Sequence, residues 1–453
     1  MSNNSVVSMK KLSLVFGAAG LLFAGSAMAL PQTKYTSSCK PLAPTEGKYE
    51  EGKGVGTISS ESAFKKITAG NEAYADGKYN ESITILKDLI ANSSDKVAVG
   101  RAHQLLGVNY QATENYRAAR SSFLKAIESG FLRQQDIVQM RRIIAQTYSI
   151  EENFSEAINW MDKYFQDVIK PPANAYASYA SLKYNSGDYR GSICPAYIAL
   201  QMNSSSKKPL YSMMFGAHIK LNDNAGAEVI GEEMVELYPA EKSVYNNLFA
   251  VYSRRGKQAD MLALAELARM NGIWTSETNY KQLSALFANN KTPRLAAERL
   301  QEGIEKGVVE SNEDNWKRVA DNFFYAKDLE NAVKAYDKAS SFTSSGKYDY
   351  KVAIMYQDRD DYENAVKKYQ SAIRKGNLRD GDLGYAYMNL GVSQFRLGRE
   401  TAAVETMKQA AKFPKVARNA NAYIKYISDL KKMKESIAAM ELQDDSPSPD
   451  GGE

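Results

Sequence analysis

Residues 316–339 read WKRVADNFFYAKDLENAVKAYDKA, and this stretch decides the fold. In its first half Trp316, Val319, Ala320 and Phe323 recur at spacings of three and four, so they share one face of a helix. In its second half Ala332, Tyr336 and Ala339 do the same, in the order small, large, small. Two such stripes so close in sequence suit an antiparallel helix pair, each covering the other.

The spacing returns along the chain. Val352, Ala353 and Tyr356 are followed by Ala365, Tyr369 and Ala372; His103, Leu106, Gly107 and Tyr110 are followed by Ala119, Phe123 and Ala126. Turn signals stand between the halves, as in Asp76-Gly77-Lys78-Tyr79, Ser186-Gly187-Asp188-Tyr189, Arg359-Asp360-Asp361-Tyr362 and Leu397-Gly398-Arg399. The small residue where the partner helix approaches falls at Gly70, Gly107, Ala145, Ala180, Gly216, about 249, Ser284, Ala320, Ala353 and Gly391. Those positions are 33 to 38 residues apart and predict ten repeats over 63–413. The copies at 209–275 are degenerate: Ala227 sits one residue early, and Arg254-Arg255-Gly256 replaces the usual turn.

These residues resemble the tetratricopeptide repeat (TPR), W-x2-L-G-x2-Y then A-x3-F with a period near 34. The resemblance implies an all-α, right-handed α-solenoid of about ten TPR-like helix pairs. Residues 414–442 read as a capping helix over the last apolar face. The acidic, Pro/Gly/Ser-rich tail 443–453 reads as disordered. Residues 30–62, with Pro31, Pro41, Pro44 and four glycines, read as an irregular lead-in.

Composition is that of a soluble globular chain: 453 residues, 44% hydrophobic and 25% charged. It excludes wholesale disorder, a collagen-like chain and a polytopic membrane protein. The formal charge of +5 is too small and too spread out to argue for nucleic acid. Two His and two Cys argue against multi-histidine metal centres, zinc ribbons and iron–sulfur clusters. No cofactor or metal is expected.

The first 29 residues read as a secretory signal peptide. Lys10 and Lys11 precede an apolar run from Leu12 to Ala24, then Ala27-Met28-Ala29. The bland alternative is an uncleaved anchor. Cleavage after Ala29 would remove two lysines and no acids, moving the charge from +5 to +3. The expected location is a Gram-negative periplasm, with no membrane span after cleavage. Oxidising conditions there allow a Cys39–Cys194 disulfide; the alternative is two independent reduced thiols.

Motifs for chemistry are sparse. Gly47-x4-Gly52-Lys53-Gly54 approaches a phosphate-binding loop, but Gly54 stands where Ser or Thr should be and no apolar strand precedes it. H-E-x-x-H, G-x-S-x-G and C-x-x-C do not occur. His103, in the slot Trp316 fills in its own repeat, and His218 both read as packed, hydrogen-bonded core histidines. Many of the 29 tyrosines, among them Tyr79, Tyr110, Tyr116, Tyr148, Tyr189, Tyr336, Tyr356, Tyr362 and Tyr369, fall at packing positions. The chain is therefore expected not to be an enzyme.

The resemblance places a binding groove on the first helix of each pair, away from its packing face. Carried over by position, the groove candidates are Gln104, Gln111, Arg142, Gln146, Tyr184 and Asn185, then Asn246, Arg254, Lys281, Lys317, Asp321, Phe324, Tyr325, Tyr350, Gln357, Phe395 and Arg396. Amides can pair with an extended backbone, and the aromatics offer apolar anchors. The expected function is a periplasmic scaffold or adaptor for envelope proteins. Its layout is similar to TPR proteins encoded beside TonB, ExbB and ExbD, which makes a TonB/ExbD-type complex an expected partner. The alternative is a cell-wall or polysaccharide assembly factor.

Overall fold

The computed structural model describes residues 30–44, 46–47, 49, 55–378 and 380–444. The leader, most of the phosphate-loop-like segment and residues 445–453 lie outside the described residues. Two compact units, 1–257 and 258–453, divide the chain. The first holds α1 (Glu61–Ala75), α2 (Tyr79–Asn92), α3 (Lys96–Ala112), α4 (Tyr116–Glu128), α5 (Gln134–Ile150), α6 (Phe154–Asp167), α7 (Ala173–Asn185), α8 (Tyr189–Gln201), α9 (Lys207–Lys220), α10 (Asn224–Leu237) and α11 (Lys242–Arg254). The second holds α12 (Gln258–Met270), α13 (Glu277–Asn289), α14 (Pro293–Glu305), α15 (Glu313–Tyr325), α16 (Leu329–Ser340), α17 (Lys347–Gln357), α18 (Tyr362–Lys375), α19 (Asp380–Arg396), α20 (Glu400–Ala410) and α21 (Pro414–Asp444). Among the described residues there is no strand. The architecture is an all-α repeat solenoid, with consecutive helices packed as neighbours within each unit.

Every turn from a first to a second helix is built alike. One residue takes a positive φ: Gly77, Glu114, Glu152, Gly187, Asn222, Gly256, Lys291, Lys327, Asp360 and Gly398. In nine of the ten the next amide then reaches back five residues to a carbonyl, as in Asn115 to Tyr110, Asp223 to His218 and Asp361 to Tyr356. Where that next residue is Asn115, Asn153, Asp188, Asp223, Asp328 or Asp361, its side chain also accepts from an amide of the second helix's first turn. This cap satisfies a donor the helix cannot satisfy internally.

The left-handed residue also fixes the register. Gly70, Gly107, Ala145 and Ala180 each stand seven positions before it, and so do Ser284, Ala320, Ala353 and Gly391. Counting back from Asn222 gives Phe215, not Gly216. The fifth repeat therefore carries a large side chain at its close-approach position. Ala227 is in step, twelve residues after Phe215 as Ala119 is after Gly107. The expected register there was shifted by one because Gly216 satisfied the search for a small residue.

Close approach is real where the slot is glycine. A Cβ on Gly70 would lie 2.9 Å from Leu86 and one on Gly391 would lie 2.9 Å from Met407, while one on Gly107 would overlap the Phe123 ring. Around these contacts lie separate apolar clusters, one centred on Leu86, Ala98 and Leu106, another on Trp316, Tyr336 and Tyr348.

The lead-in is a strap laid across the first unit. Cys39 is bonded to Cys194 of α8. The Leu42 amide donates to the Tyr176 hydroxyl at 3.2 Å, the Lys170 amide to the Pro44 carbonyl at 3.1 Å, and the Ile169 amide to the Tyr49 hydroxyl at 3.2 Å. At its start Lys34 pairs with Asp223 at 3.4 Å and Tyr35 stacks on His218. Helix α8 is buried from Ser192 to Leu200 except for the half-buried Cys194, consistent with a sequence apolar on all sides.

Candidate functional site: inner faces of the first helices

In the first unit, three successive first helices, α7, α9 and α11, line a cavity of about 270 Å³. Tyr184, Phe215, Ile219 and Ala250 give it apolar walls; Ser212 and Asn247 are polar; Lys220 and Arg254 add charge. Gly216 opens the space between helices, since a Cβ there would stand 2.6 Å from the Tyr184 hydroxyl. Arg254 and Lys220 are exposed and make no ion pair among the described residues; the Lys220 ammonium lies 6.0 Å from the Tyr189 ring. Two unneutralised cations thus flank an apolar recess.

Tyr184 and Arg254 are the sequence candidates brought together here. Asn185 and Asn246 are exposed on the same helices, and Gln146 is exposed on α5. Ser212, Ile219 and Lys220 were missed because the fifth repeat, its register read one residue late, was taken as degenerate and contributed no groove candidate; in the corrected register Ser212 and Ile219 stand where Gln104 and Gln111 stand in the second repeat. The early Ala227 and the Asn222-Asp223 turn were the signals that could have corrected it. Gln104 accepts from Arg101 at 3.0 Å, and Arg101 also reaches Asp136 of the next repeat, so this amide serves packing. Gln111 is half-buried. Arg142 lies beside Tyr164, whose hydroxyl is pushed up by burial against the opposing arginine charge.

In the second unit most candidates are engaged. Lys281 pairs with Glu277 at 2.7 Å. Lys317 pairs with Asp321 at 2.7 Å, and Tyr336 donates to the same carboxylate. Burial pushes the Asp321 carboxyl up, but Lys317, Tyr336 and Lys351 outweigh it and hold it below its ordinary range. Tyr369 donates to Gln357 at 2.5 Å and packs on Tyr350. These contacts turn five of the expected groove residues, Lys281, Lys317, Asp321, Tyr350 and Gln357, inward or neutralise them. Phe324 and Tyr325 remain open, at 42% and 72% exposure. Phe395 and Arg396 share a cavity of about 420 Å³ with Val392, Ala422, Tyr423 and Tyr426; the α21 residues there were not anticipated.

The histidines differ from each other. His218 is fully buried, its Nδ1 2.9 Å from Asp223; burial lowers its pKa while Asp223 opposes the shift. His103 departs from expectation. It lines a cavity of about 690 Å³ with Lys96, Lys125 and Phe131, and its buried Nδ1 has no hydrogen-bond partner. Burial and then Lys125 lower its pKa. Among the described residues no group of three or more His, Cys, Asp or Glu could hold a metal ion. No helix among them is long and apolar enough to cross a membrane.

Two segments, 100–129 and 353–417, match family models described as tetratricopeptide repeat. No curated protein matches the chain. Among solved structures, a tetratricopeptide repeat protein from Parabacteroides merdae is similar at 13% identity, over 62% of this chain and 94% of that one, with a TM-score of 0.34. The C-terminal part of a TPR repeat-containing protein from Cytophaga hutchinsonii is similar at 12% identity, over 61% and 95%, with a TM-score of 0.35. Yeast Tom70 is similar at 12% identity, over 84% and 99%, with a TM-score of 0.24.

Proposed function

We propose that this chain, a member of the tetratricopeptide-repeat family, is a non-enzymatic adaptor that holds an acidic segment of an envelope protein against the inner faces of α7, α9 and α11. The observation that carries the reading is the recess flanked by Lys220 and Arg254, two cations that no carboxylate among the described residues neutralises. An acidic peptide side chain would supply the missing charge, and a neighbouring apolar one would fill the space between Tyr184 and Ile219. Such contacts hold a partner and make no bond.

The periplasmic location is part of the proposal and rests on the composition of the first 29 residues. Within it, a TonB/ExbD-type complex is the first partner to test. The polysaccharide alternative leans on an aromatic groove, to which the exposed Phe324 and Tyr325 would contribute; the cations at the α7, α9 and α11 recess favour an acidic peptide instead.

The experiment is a cross-linked pull-down from native envelope with mass spectrometry. Parallel samples carry Lys220→Ala with Arg254→Ala, or Phe324→Ala with Tyr325→Ala and Phe395→Ala. One envelope protein enriched by the wild type and lost with the Lys220/Arg254 variant supports the adaptor reading. Retention by that variant, or enrichment of glycan alone, sinks it.

A further inference from the structure

The last helix carries apolar surface that its own repeat does not cover. The first half of α21 buries Val416, Ala420 and Ile427, the first two in one cluster with Met407 and Ala410 of α20. Beyond Ile427 no residue up to Met440 is buried. From Tyr426, which packs edge-on against Phe395 at the start of that length, Leu430, Met433, Ile437 and Met440 follow at steps of four, three, four and three. Tyr426, Met433, Ile437 and Met440 are 52%, 53%, 48% and 68% exposed. Alternating steps of three and four make a narrow seam with a 3.5-residue period, the spacing by which one helix winds on another.

We propose that this seam pairs with the same seam of a second copy of the chain, as a parallel two-stranded coiled coil. The charges beside the seam choose the occupant. With Leu430 and Ile437 at a and Tyr426, Met433 and Met440 at d, Asp429 takes a g position and Lys434 the e position five residues on. In a parallel pair g of one helix faces that e of the other, so Asp429 meets the second copy's Lys434, twice by symmetry. Asp429 is exposed and makes no ion pair among the described residues, while Lys434 reaches Glu400 of its own chain at 2.6 Å. The antiparallel overlap that sets Leu430 against Met440 and Ile437 against Met433 instead brings the two Lys434 together. A second copy in parallel register satisfies both the apolar and the charged positions. The seam is short for an isolated coiled coil, but packing of Val416, Ala420 and Ile427 already fixes the helix, so pairing need not nucleate it.

The inference does not depend on the groove, and its test reads mass alone. Light scattering of the purified chain is expected to show mass doubling as concentration rises. Ile437→Lys, at an exposed position, should return the monomer with unchanged circular dichroism. A monomer throughout, or a dimer indifferent to Ile437→Lys, overturns the proposal and leaves the seam to a different protein or a lipid surface. Asp429→Lys should weaken the dimer several-fold, and adding Lys434→Asp should restore it; failure to restore overturns the parallel register. With Cys39 and Cys194 bonded to each other, a bis-maleimide should join Ile437→Cys chains to one another. Joining only when Ile437→Cys is mixed with Met433→Cys would show the antiparallel arrangement and overturn the parallel one.

Discussion

One left-handed residue per repeat sets what each side chain of the first helix faces, and two glycines show the consequence. Gly107 stands at the close-approach slot against Phe123, a fully buried ring with no room to retreat. Gly107→Ala should cost about 1–3 kcal/mol, read as a lower denaturation midpoint. Gly216 looks equivalent in sequence, but its neighbour is the hydroxyl end of the half-buried Tyr184. Gly216→Ala should leave the midpoint unchanged or raise it by up to about 1 kcal/mol through helix propensity, while narrowing the recess and weakening partner capture. Spacing made the slot legible in eight repeats; it failed at Gly216 because smallness identifies a glycine without saying which way it faces. Asp95 shows the same economy in charge. It caps α3 through the Ala98 amide at 3.0 Å and holds the Ser59 and Ser60 amides at 2.7 and 3.0 Å. The Ala98 bond leads, the Ser59 and Ser60 bonds add, and burial opposes, bringing the carboxyl down to about 2. Because its folded pKa is depressed, its stabilisation is complete above the unfolded value near 4 and is lost as pH falls through about 2. The stability gap between wild type and Asp95→Asn should therefore narrow over that window in acid denaturation.

At the level of elements, the helices were legible because each must bury a stripe, and the strap was not because its contacts follow no period. Only Cys39, Cys194 and the all-round apolar run of α8 hinted at it. The disulfide closes a sequence separation of 155 residues, so its loss should destabilise the first unit by roughly 2–5 kcal/mol. In a Cys39→Ser, Cys194→Ser chain, limited proteolysis should cut the strap before any helix; cleavage beginning inside α7 or α8 would contradict this. In the second unit, helix α12 is tied to α14 by charge. Glu266 accepts from Arg269 at 2.8 Å and Arg299 at 2.9 Å, and Arg269 reaches Glu302 at 3.0 Å. Burial pushes Glu266 up, yet the two guanidiniums hold it below its ordinary range. Glu266→Ala leaves two largely buried arginines without that partner and should cost about 2–4 kcal/mol, measured as a lower melting temperature.

Within each unit, contacts run mostly between successive helices, so each unit behaves as a row of neighbours in which damage stays local. Hydrogen exchange of Gly107→Ala should accelerate in α3, α4 and their neighbours while α15–α18 keep wild-type protection; uniform acceleration would refute that independence. The repeat plan was legible as a whole because one helix-pair solution recurs. The seam on α21 was not, since a capping helix was expected to bury its apolar residues rather than display a second set. The strap, finally, has a consequence in time. Its partners lie far downstream: Leu42 waits for Tyr176, Tyr49 for Ile169 and Cys39 for Cys194. A polypeptide is made from its N-terminal side, and local helix pairs close quickly once complete. The first four helices can therefore be in place while residues 30–49 still have nothing to hold. During biogenesis the earliest-made described segment is among the last to dock, and Cys39 stays a bare thiol until α8 has been delivered beside it.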